Sequence, residues 1–193
     1  MMNTIKIKWT GIRPLVMHNG ELADWKHPIT QQIKDIVSKG SRKLTEADFE
    51  KRERLEWDAG LYWDDHDGPV IPGDNIERCI QKGAEKSRIG KDIVACVFCA
   101  QPAVPLEYDG PKNRDKMYAD PRFVLRKGIV IKKARIIRVR PMIPTGWSLT
   151  FELEFEPSIV NPKALLKAMI DAGALIGLGD WRPKFGRFLV EQL

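Results

Sequence analysis

The sequence predicts an α+β fold in which helices pack on one face of an antiparallel sheet, and three observations support this prediction. Strand signals recur along the chain: Ile5–Thr10 alternates apolar and polar residues, Leu15–Met17 is a short apolar piece, and Phe188–Val190 is predicted to be the last strand. Two segments with helical spacing, near residues 74–86 and 162–173, lie between the strand signals. With 193 residues, 43% of them hydrophobic, the chain is long enough for one packed core.

A helical insertion is predicted at about residues 28–60. Pro28 stands where a first helical turn begins, and Gly40 ends that run. A second helix begins after Thr45, with Asp48 three residues on in a loose capping box. Because both helices are highly charged, we expect them to lie outside the main core.

The next stretch changes from strand to helix. Tyr62–Gly73 is predicted to form a strand, an acidic turn and a second extended piece. Asp74 or Asn75 then caps a helix that continues to about Lys86, with apolar residues on its inner face.

A second insertion, rich in strands and basic residues, is predicted at about residues 109–141. Before it, the apolar runs Ile93–Ala100 and Val104–Tyr108 are predicted to be buried strands. Gly110–Pro121 is polar and rich in helix breakers, which favours an exposed loop. The strands predicted after this loop are Phe123–Arg126, Gly128–Ile131 and Ala134–Arg140.

The C-terminal elements complete the predicted sheet. Trp147–Glu156 alternates apolar residues with Thr and Glu, as a half-buried strand with an acidic outer face does. Pro162 opens the final helix, which ends near Gly173. The order of elements is that of a ferredoxin-like or RRM-like sheet, and residues 1–193 are predicted to be a single domain carrying the two insertions.

Positive charge is concentrated in one segment. Lys112–Arg140 holds eleven Lys or Arg and two Asp, a local charge of +9, whereas the whole chain carries +6. Such clustering indicates a phosphate-contacting surface, although a solvated strand face is the alternative. The candidates in this segment are Lys127, Lys132, Lys133, Arg135 and Arg138.

Composition and motifs argue against several other classes. No signal peptide and no apolar run of membrane-spanning length is found, so we expect a cytoplasmic protein without a membrane partner. The odd number of cysteines, three, argues against a disulfide framework. Cys96 and Cys99 could form half of a zinc site, but buried thiols are favoured because a second ligand pair is missing. The glycines at 177 and 179 follow a helix, which argues against a dinucleotide site, and no cofactor is predicted.

A glycine-punctuated loop before the last strand is the strongest candidate binding site. Glycines let backbone N–H groups approach phosphate oxygens, and mixed cations and aromatic rings suit phosphates and unpaired bases. The alternative is that its two aromatic residues cap the core. The candidates in this loop are Trp181, Arg182, Lys184, Phe185 and Arg187.

A helix row and an N-terminal turn supply further candidates. Cations recur one turn apart along the predicted third helix. This pattern indicates either a row of side chains that contacts successive phosphates or an ordinary solvated helix face. The row and its extension comprise Arg78, Lys82, Lys86 and Arg88, and the turn contributes Arg13, His18 and Asn19.

Two motifs in the frame of the chain resemble the RAMP superfamily, which includes the crRNA-binding backbone subunits of CRISPR effector complexes. Val70–Ile76 is similar to the family's Ile-Pro-Gly-Ser-Ser-Leu turn, and Gly177–Arg187 to its glycine-rich loop ending in Gly-x-Gly-Arg. Residues 77–81 and Phe185 depart from the family pattern, which implies a divergent, free-standing member.

The resemblance implies that the turn holding His18 lies near a bound strand. It also places Asp24 in a region where some members carry a target-cleaving aspartate. The alternative to strand binding by His18 is a structural role. The acidic cluster Asp64–Asp67 could hold Mg²⁺, but consecutive aspartates in a turn are usually solvated, and no metal site is predicted.

Three functions follow as hypotheses. The leading one is a sequence-nonspecific protein that coats single-stranded RNA or DNA through backbone contacts, as a homo-oligomer or filament. The second is a nuclease that uses His18, Asp24 or the acidic cluster, so whether the protein is an enzyme stays open. The third is a subunit whose basic face binds an acidic protein.

Overall fold

The chain divides into two compact units. The computed structural model describes residues 1–40, 43–131 and 134–193, with every side chain in them except those of Glu21, Ile129, Ile131, Ala134 and Arg135. Unit 1 comprises Met1–Leu15, Trp63–Asp109 and Ile143–Leu193, and unit 2 comprises Val16–Tyr62 and Gly110–Met142.

The described chain contains both strands and helices, with 3₁₀ turns between some of them. The strands are β1 (Asn3–Gly11), β2 (Leu15–Val16), β3 (Trp63–Asp64), β4 (Gly68–Pro72), β5 (Val97–Cys99), β6 (Ala103–Pro105), β7 (Val124–Ile131), β8 (Ala134–Ile143), β9 (Ser148–Phe155) and β10 (Phe188–Gln192). The helices are α1 (Pro28–Ser38), α2 (Glu46–Gly60), α3 (Gly73–Ala84), α4 (Gly90–Cys96), α5 (Arg114–Ala119) and α6 (Pro162–Asp171).

The main sheet of unit 1 confirms the predicted fold class. Its strand order is β10-β1-β9-β5, and each neighbouring pair is antiparallel. Counted along the chain, the four strands of this sheet are β1, β5, β9 and β10, and its two helices are α3 and α6. The fourth of these strands pairs with the first, the first with the third, and the third with the second. This is the ferredoxin-like arrangement, an α+β fold with the helices on one face.

Alternation along the central strands separates a buried face from a charged one. In β1 and β9 the apolar residues are buried, and Trp9 stacks on Phe188 at 3.9 Å between ring centroids. On the opposite face the register sets Lys6 against Glu152 and Lys8 against Glu191. Because opposite charges face each other there, this open face does not present the excess positive charge of the chain.

The two main helices of unit 1 approach each other through a small residue. A Cβ atom added to Gly83 of α3 would lie 2.2 Å from the carbonyl oxygen of Ala168 in α6, so only glycine allows this separation. α3 begins at Gly73 and has no side-chain cap, so the prediction that Asp74 or Asn75 caps it was wrong. Both residues lie in its first turn instead.

Two further sequence-based predictions about local structure were wrong, the first of them in part. The apolar run from Ile93 forms the end of α4 and then the short strand β5. Ile93 and Cys96 are buried one turn apart while Val94 is 57% exposed, which is helical and not strand periodicity. The predicted loop at 110–121 contains α5, because the Asn113 side chain accepts a hydrogen bond from the Lys116 N–H at 3.0 Å and caps a short helix.

Unit 2 is built from α1, α2, α5 and the β7–β8 hairpin. The capping box of α2 is complete, with Thr45 and Asp48 bonded reciprocally. The hydrogen bond from Lys39 is the largest of the causes that lower the pKa of Asp48 to about 2. Trp57 is buried and donates from Nε1 to the Phe123 carbonyl oxygen at 2.9 Å. α2 and the segment that precedes β7 therefore form one core.

No helix in the described residues combines the length and the apolar character needed to cross a membrane. The prediction of a single domain with insertions at 28–60 and 109–141 stays a prediction.

Candidate nucleic-acid interface

The loop of residues 177–187 is closed at its neck by backbone hydrogen bonds. The Leu178 N–H donates to the Gly186 carbonyl oxygen, and the Gly186 N–H donates to that of Pro14, both at 2.8 Å. Gly186 has a φ of 71°, and a Cβ atom there would lie 1.7 Å from the Leu178 oxygen. The neck therefore requires glycine and holds residues 179–185 as a fixed tip.

Two glycines of this loop, Gly177 and Gly186, do not offer their amides to a phosphate as the sequence suggested. The Gly177 N–H donates to the Ala172 carbonyl oxygen at 2.8 Å, and the Gly186 N–H is bonded to Pro14. Both amides are used inside the protein and are not available to a phosphate. These two glycines serve the geometry of the neck, so a bound phosphate must be held mainly by side chains.

A cavity of about 400 Å³ lies beside the tip, and we call it the cationic pocket. Its cations are Arg13 from the segment after β1, and Lys184 and Arg187 from the loop. None of the three side chains forms an ion pair within the part of the chain that the structure describes. The complete lining is Arg13, Pro14, Pro183, Lys184, Phe185 and Arg187.

Arg187 connects the loop to the segment after β1, and residues of both line the cationic pocket. Its carbonyl oxygen accepts hydrogen bonds from the N–H groups of Ile12 at 2.8 Å and Arg13 at 3.2 Å. Its guanidinium Nε is buried and has no hydrogen-bond partner among the described residues. A buried donor without a partner is unfavourable, and an anion bound to this guanidinium would compensate for it.

Two aromatic residues flank the cationic pocket. Trp181 and Phe185 are half-buried, and their ring centroids lie 6.4 Å apart at an interplanar angle of 52°. Trp181 has a φ of 51°, which a bulky side chain rarely adopts, and its N–H donates to the Asp180 carboxylate at 2.8 Å. Backbone strain of this kind is concentrated at functional sites in proteins.

The neck of the loop lies close to α3. The Cys79 thiol donates to the Gly177 carbonyl oxygen at 3.4 Å. Burial raises the pKa of Cys79 to about 12, against a smaller lowering effect of the Arg182 charge. Arg182 itself is exposed at the tip.

Cys79 should resist a thiol reagent at pH 8 in the native protein. The thiolate is the reactive form, and a pKa near 12 leaves only about one molecule in 10⁴ ionised at that pH. Mass spectrometry after timed labelling would locate the modified cysteines. Half-buried Cys99 is the internal control and should react first. Labelling of Cys79 in folded protein at the rate of Cys99 would contradict a closed neck.

The predicted row of cations on α3 is shorter than expected. Arg78 donates to Gln81, and Lys82 is paired with Glu85 at 2.7 Å. α3 ends at Ala84, so Lys86 lies in a following 3₁₀ turn and Arg88 caps that turn with a φ of 62°. These residues do not form one continuous helical row.

The basic residues of unit 2 are partly compensated by acids of α2. Lys127 lies opposite Arg138 in the β7–β8 register, and Arg138 donates to Glu56 at 2.7 Å. Lys132 and Lys133 lie outside the described residues, as does the side chain of Arg135. The local charge of +9 is therefore not wholly available to a ligand.

The candidates between β2 and α1 belong to unit 2. His18 is exposed, and its carbonyl oxygen accepts from the Tyr62 hydroxyl at 3.2 Å. The Asn19 N–H donates to the Gly60 carbonyl oxygen at 3.0 Å. The Asp24 carboxylate accepts from the Lys26 N–H at 2.9 Å, which accounts for an aspartate in this turn. Its role in a nuclease stays a prediction.

The acidic turn in unit 1 also has a local structural explanation. The Asp64 carboxylate accepts from the N–H groups of His66 at 2.8 Å and Asp67 at 3.0 Å, and these bonds lower the pKa of Asp64. The Cys96 thiol donates to the Asp92 carbonyl oxygen at 3.0 Å. Among the described residues no cluster of His, Cys, Asp or Glu could hold a metal ion.

Comparison with known proteins gives a likeness in structure and none in sequence. No family model matches the sequence, and no curated protein matches it. A chain in a cryo-EM structure of the Type III-B Cmr-beta complex bound to cognate target RNA has a similar fold, with a TM-score of 0.53 and 10% identity. The match covers 100% of this chain and 61% of that one, so this protein spans about three-fifths of its length. At this identity the likeness shows the fold alone.

Proposed function

We propose that this protein binds single-stranded nucleic acid through the phosphate backbone, with the loop of residues 177–187 as its primary contact. The observation that carries the proposal is the cationic pocket. Three cations that have no acidic partner among the described residues surround one cavity, and one of them keeps a buried donor that none of those residues bonds. A phosphodiester supplies the negative charge and the acceptor oxygens that this arrangement lacks.

The aromatic residues favour a single strand over a free anion or a duplex. Phe185 lines the cationic pocket and pairs with Trp181, so a stacking surface lies next to the phosphate position. Bases of a single strand can stack on such rings, whereas those of a duplex already stack on each other. The remaining candidates, including Arg182 on the same tip, would extend the contact to neighbouring phosphates.

The structural neighbour supports RNA as the polymer. It belongs to a complex bound to target RNA, and the motifs at Val70–Ile76 and Gly177–Arg187 resemble those of the RAMP superfamily. Our proposal is that this chain is a divergent, free-standing member of that superfamily. It would coat a strand without sequence preference, as a homo-oligomer. Three free cysteines are consistent with a cytoplasmic location.

Binding should weaken with salt in proportion to the phosphates contacted. For three contacts to a single strand, the slope of log affinity against log salt is expected to be about −2, or about fifteenfold between 50 and 200 mM. Lys184→Ala/Arg187→Ala removes two of these contacts, so the slope should become shallower by about 1.4. Fluorescence anisotropy with a labelled 20-mer of mixed sequence, as RNA and as DNA, measures both.

A charge-matched variant separates the pocket from general charge. Lys91→Ala/Lys163→Ala also removes two exposed lysines from unit 1, but neither lines the cationic pocket. This control should keep the slope of the unmodified protein. Binding that ignores salt, or a pocket variant that behaves like the control, would refute the proposed function.

Coating predicts that the number of bound copies rises with strand length. Mass photometry of the protein with strands of increasing length should show discrete steps in mass. One bound copy on every strand would leave the binding function intact and contradict coating.

A further inference from the structure

An exposed tryptophan stands apart from the other tryptophans of this protein. Trp25 is 65% exposed, whereas Trp9, Trp57 and Trp147 are fully buried. It lies in unit 2, between the 3₁₀ turn at Gly20–Ala23 and the start of α1. Keeping an indole of this size in water forgoes a large apolar contribution to folding, so an exposed tryptophan points to a binding role.

Hydrogen bonds on both sides of Trp25 fix the turn that carries it. The Lys26 N–H donates to the Asp24 carboxylate at 2.9 Å, and the His27 N–H donates to the Asp24 carbonyl oxygen at 3.2 Å. The Gln31 side-chain amide donates to the Trp25 carbonyl oxygen. The backbone under the ring is thereby fixed, which reduces the entropy lost when a ligand stacks on it.

The surroundings of the ring indicate the chemistry of its ligand. The Lys26 ammonium lies 5.2 Å from the ring centroid, so one turn offers an aromatic surface and a cation together. The neighbours along the chain, Asp24, Lys26 and His27, are polar. An apolar protein surface would need apolar neighbours around the indole, whereas a base linked to a phosphate fits a ring beside an ammonium.

We propose that Trp25 is a stacking site for an unpaired nucleobase, with Lys26 contacting the adjacent phosphate. This inference rests on the proposed function, and it adds a contact in unit 2 that is independent of the cationic pocket of unit 1. The ligand class is a single strand with bases, and a backbone without bases would not use the site.

Fluorine NMR can observe this contact directly. The protein is labelled with 5-fluorotryptophan, and the resonance missing from Trp25→Phe is assigned to Trp25. Adding a uridine 12-mer should shift that resonance, while an abasic strand of the same length should leave it in place. In anisotropy titrations with the uridine 12-mer, Trp25→Ala should lower affinity about tenfold with an unchanged salt slope, and Trp25→Phe should lose less than about threefold.

The possible outcomes separate this inference from the proposed function. An unmoved resonance, with Trp25→Ala binding normally and Lys184→Ala/Arg187→Ala still weakened, would overturn the stacking site alone. An equal shift with the abasic strand, or a shift with protein concentration in the absence of a strand, would also overturn it. The absence of salt-dependent strand binding in the unmodified protein would refute both. An unchanged thermal midpoint for Trp25→Ala excludes misfolding as the cause of a loss.

Discussion

Replacing Glu56 with alanine is expected to lower the free energy of unfolding by about 3 kcal/mol. Glu56 is only 4% exposed, and its Oε1 accepts hydrogen bonds from Arg52 at 3.0 Å and Arg138 at 2.7 Å. Removing the carboxylate leaves two partly buried guanidinium groups without their counter-charge. Urea unfolding followed by circular dichroism measures the change.

Glu50 provides the control for Glu56. It is exposed on the same helix, so Glu50→Ala should change the free energy of unfolding by less than about 0.5 kcal/mol. Equal losses in the two variants would show that the Glu56 ion pairs do not stabilise unit 2.

A double-mutant cycle tests whether Arg138 stabilises the fold through its bond to the Glu56 carboxylate. A double-mutant cycle of Glu56→Ala and Arg138→Ala should give a coupling energy of about 1 kcal/mol or more, because the two side chains are bonded. If Arg138→Ala also weakened strand binding beyond the loss of folded protein, the arginine would serve in binding as well.

Gly186→Ala is the second variant with a large expected effect, a destabilisation of about 2–4 kcal/mol. The new Cβ atom would lie 1.7 Å from the Leu178 carbonyl oxygen, and φ is 71°. Since the clash is with backbone, the neck must open, and the cationic pocket should lose its geometry. Thermal unfolding and the anisotropy assay measure the two consequences.

Gly146→Ala is the matched control for this variant. Gly146 also has a positive φ, 98°, but an added Cβ atom there would meet nothing within 4 Å. The difference between the two variants therefore isolates the clash at the neck. Strand affinity should fall in Gly186→Ala and be retained in Gly146→Ala. Retained affinity in both would indicate that the neck does not position the cations.

Most of the fold prediction was based on the periodicity of apolar residues along the chain. The alternation in Trp147–Glu156 predicted β9, and helical spacing after Pro162 predicted α6, because each pattern matches one burial geometry over many residues. In the run at Ile93–Ala100 only Val97–Cys99 is a strand, because a short apolar run fits a buried helix end as well as a strand. α5 was missed because one good cap outweighs the surrounding helix breakers.

The candidate site was predicted as a set of residues and not as an arrangement. The mixture of cations and aromatic residues in 177–187 was visible in the sequence. Trp25 was not singled out, although a tryptophan between charged residues and a histidine was a usable signal. The pairing of Arg138 with Glu56 joins residues 82 positions apart, which no local pattern reports.

The sequence by itself determined the α+β class, the order of the sheet elements and the segments where cations and glycines gather. These properties depend on near neighbours along the chain, through periodicity, capping and turn preferences. The tertiary structure alone decided which cations have acidic partners among the described residues and which do not. It also showed that the amides of Gly177 and Gly186 are used within the protein. Charge compensation and hydrogen bonding depend on distances of a few ångströms between groups far apart in sequence, and only folding sets those distances.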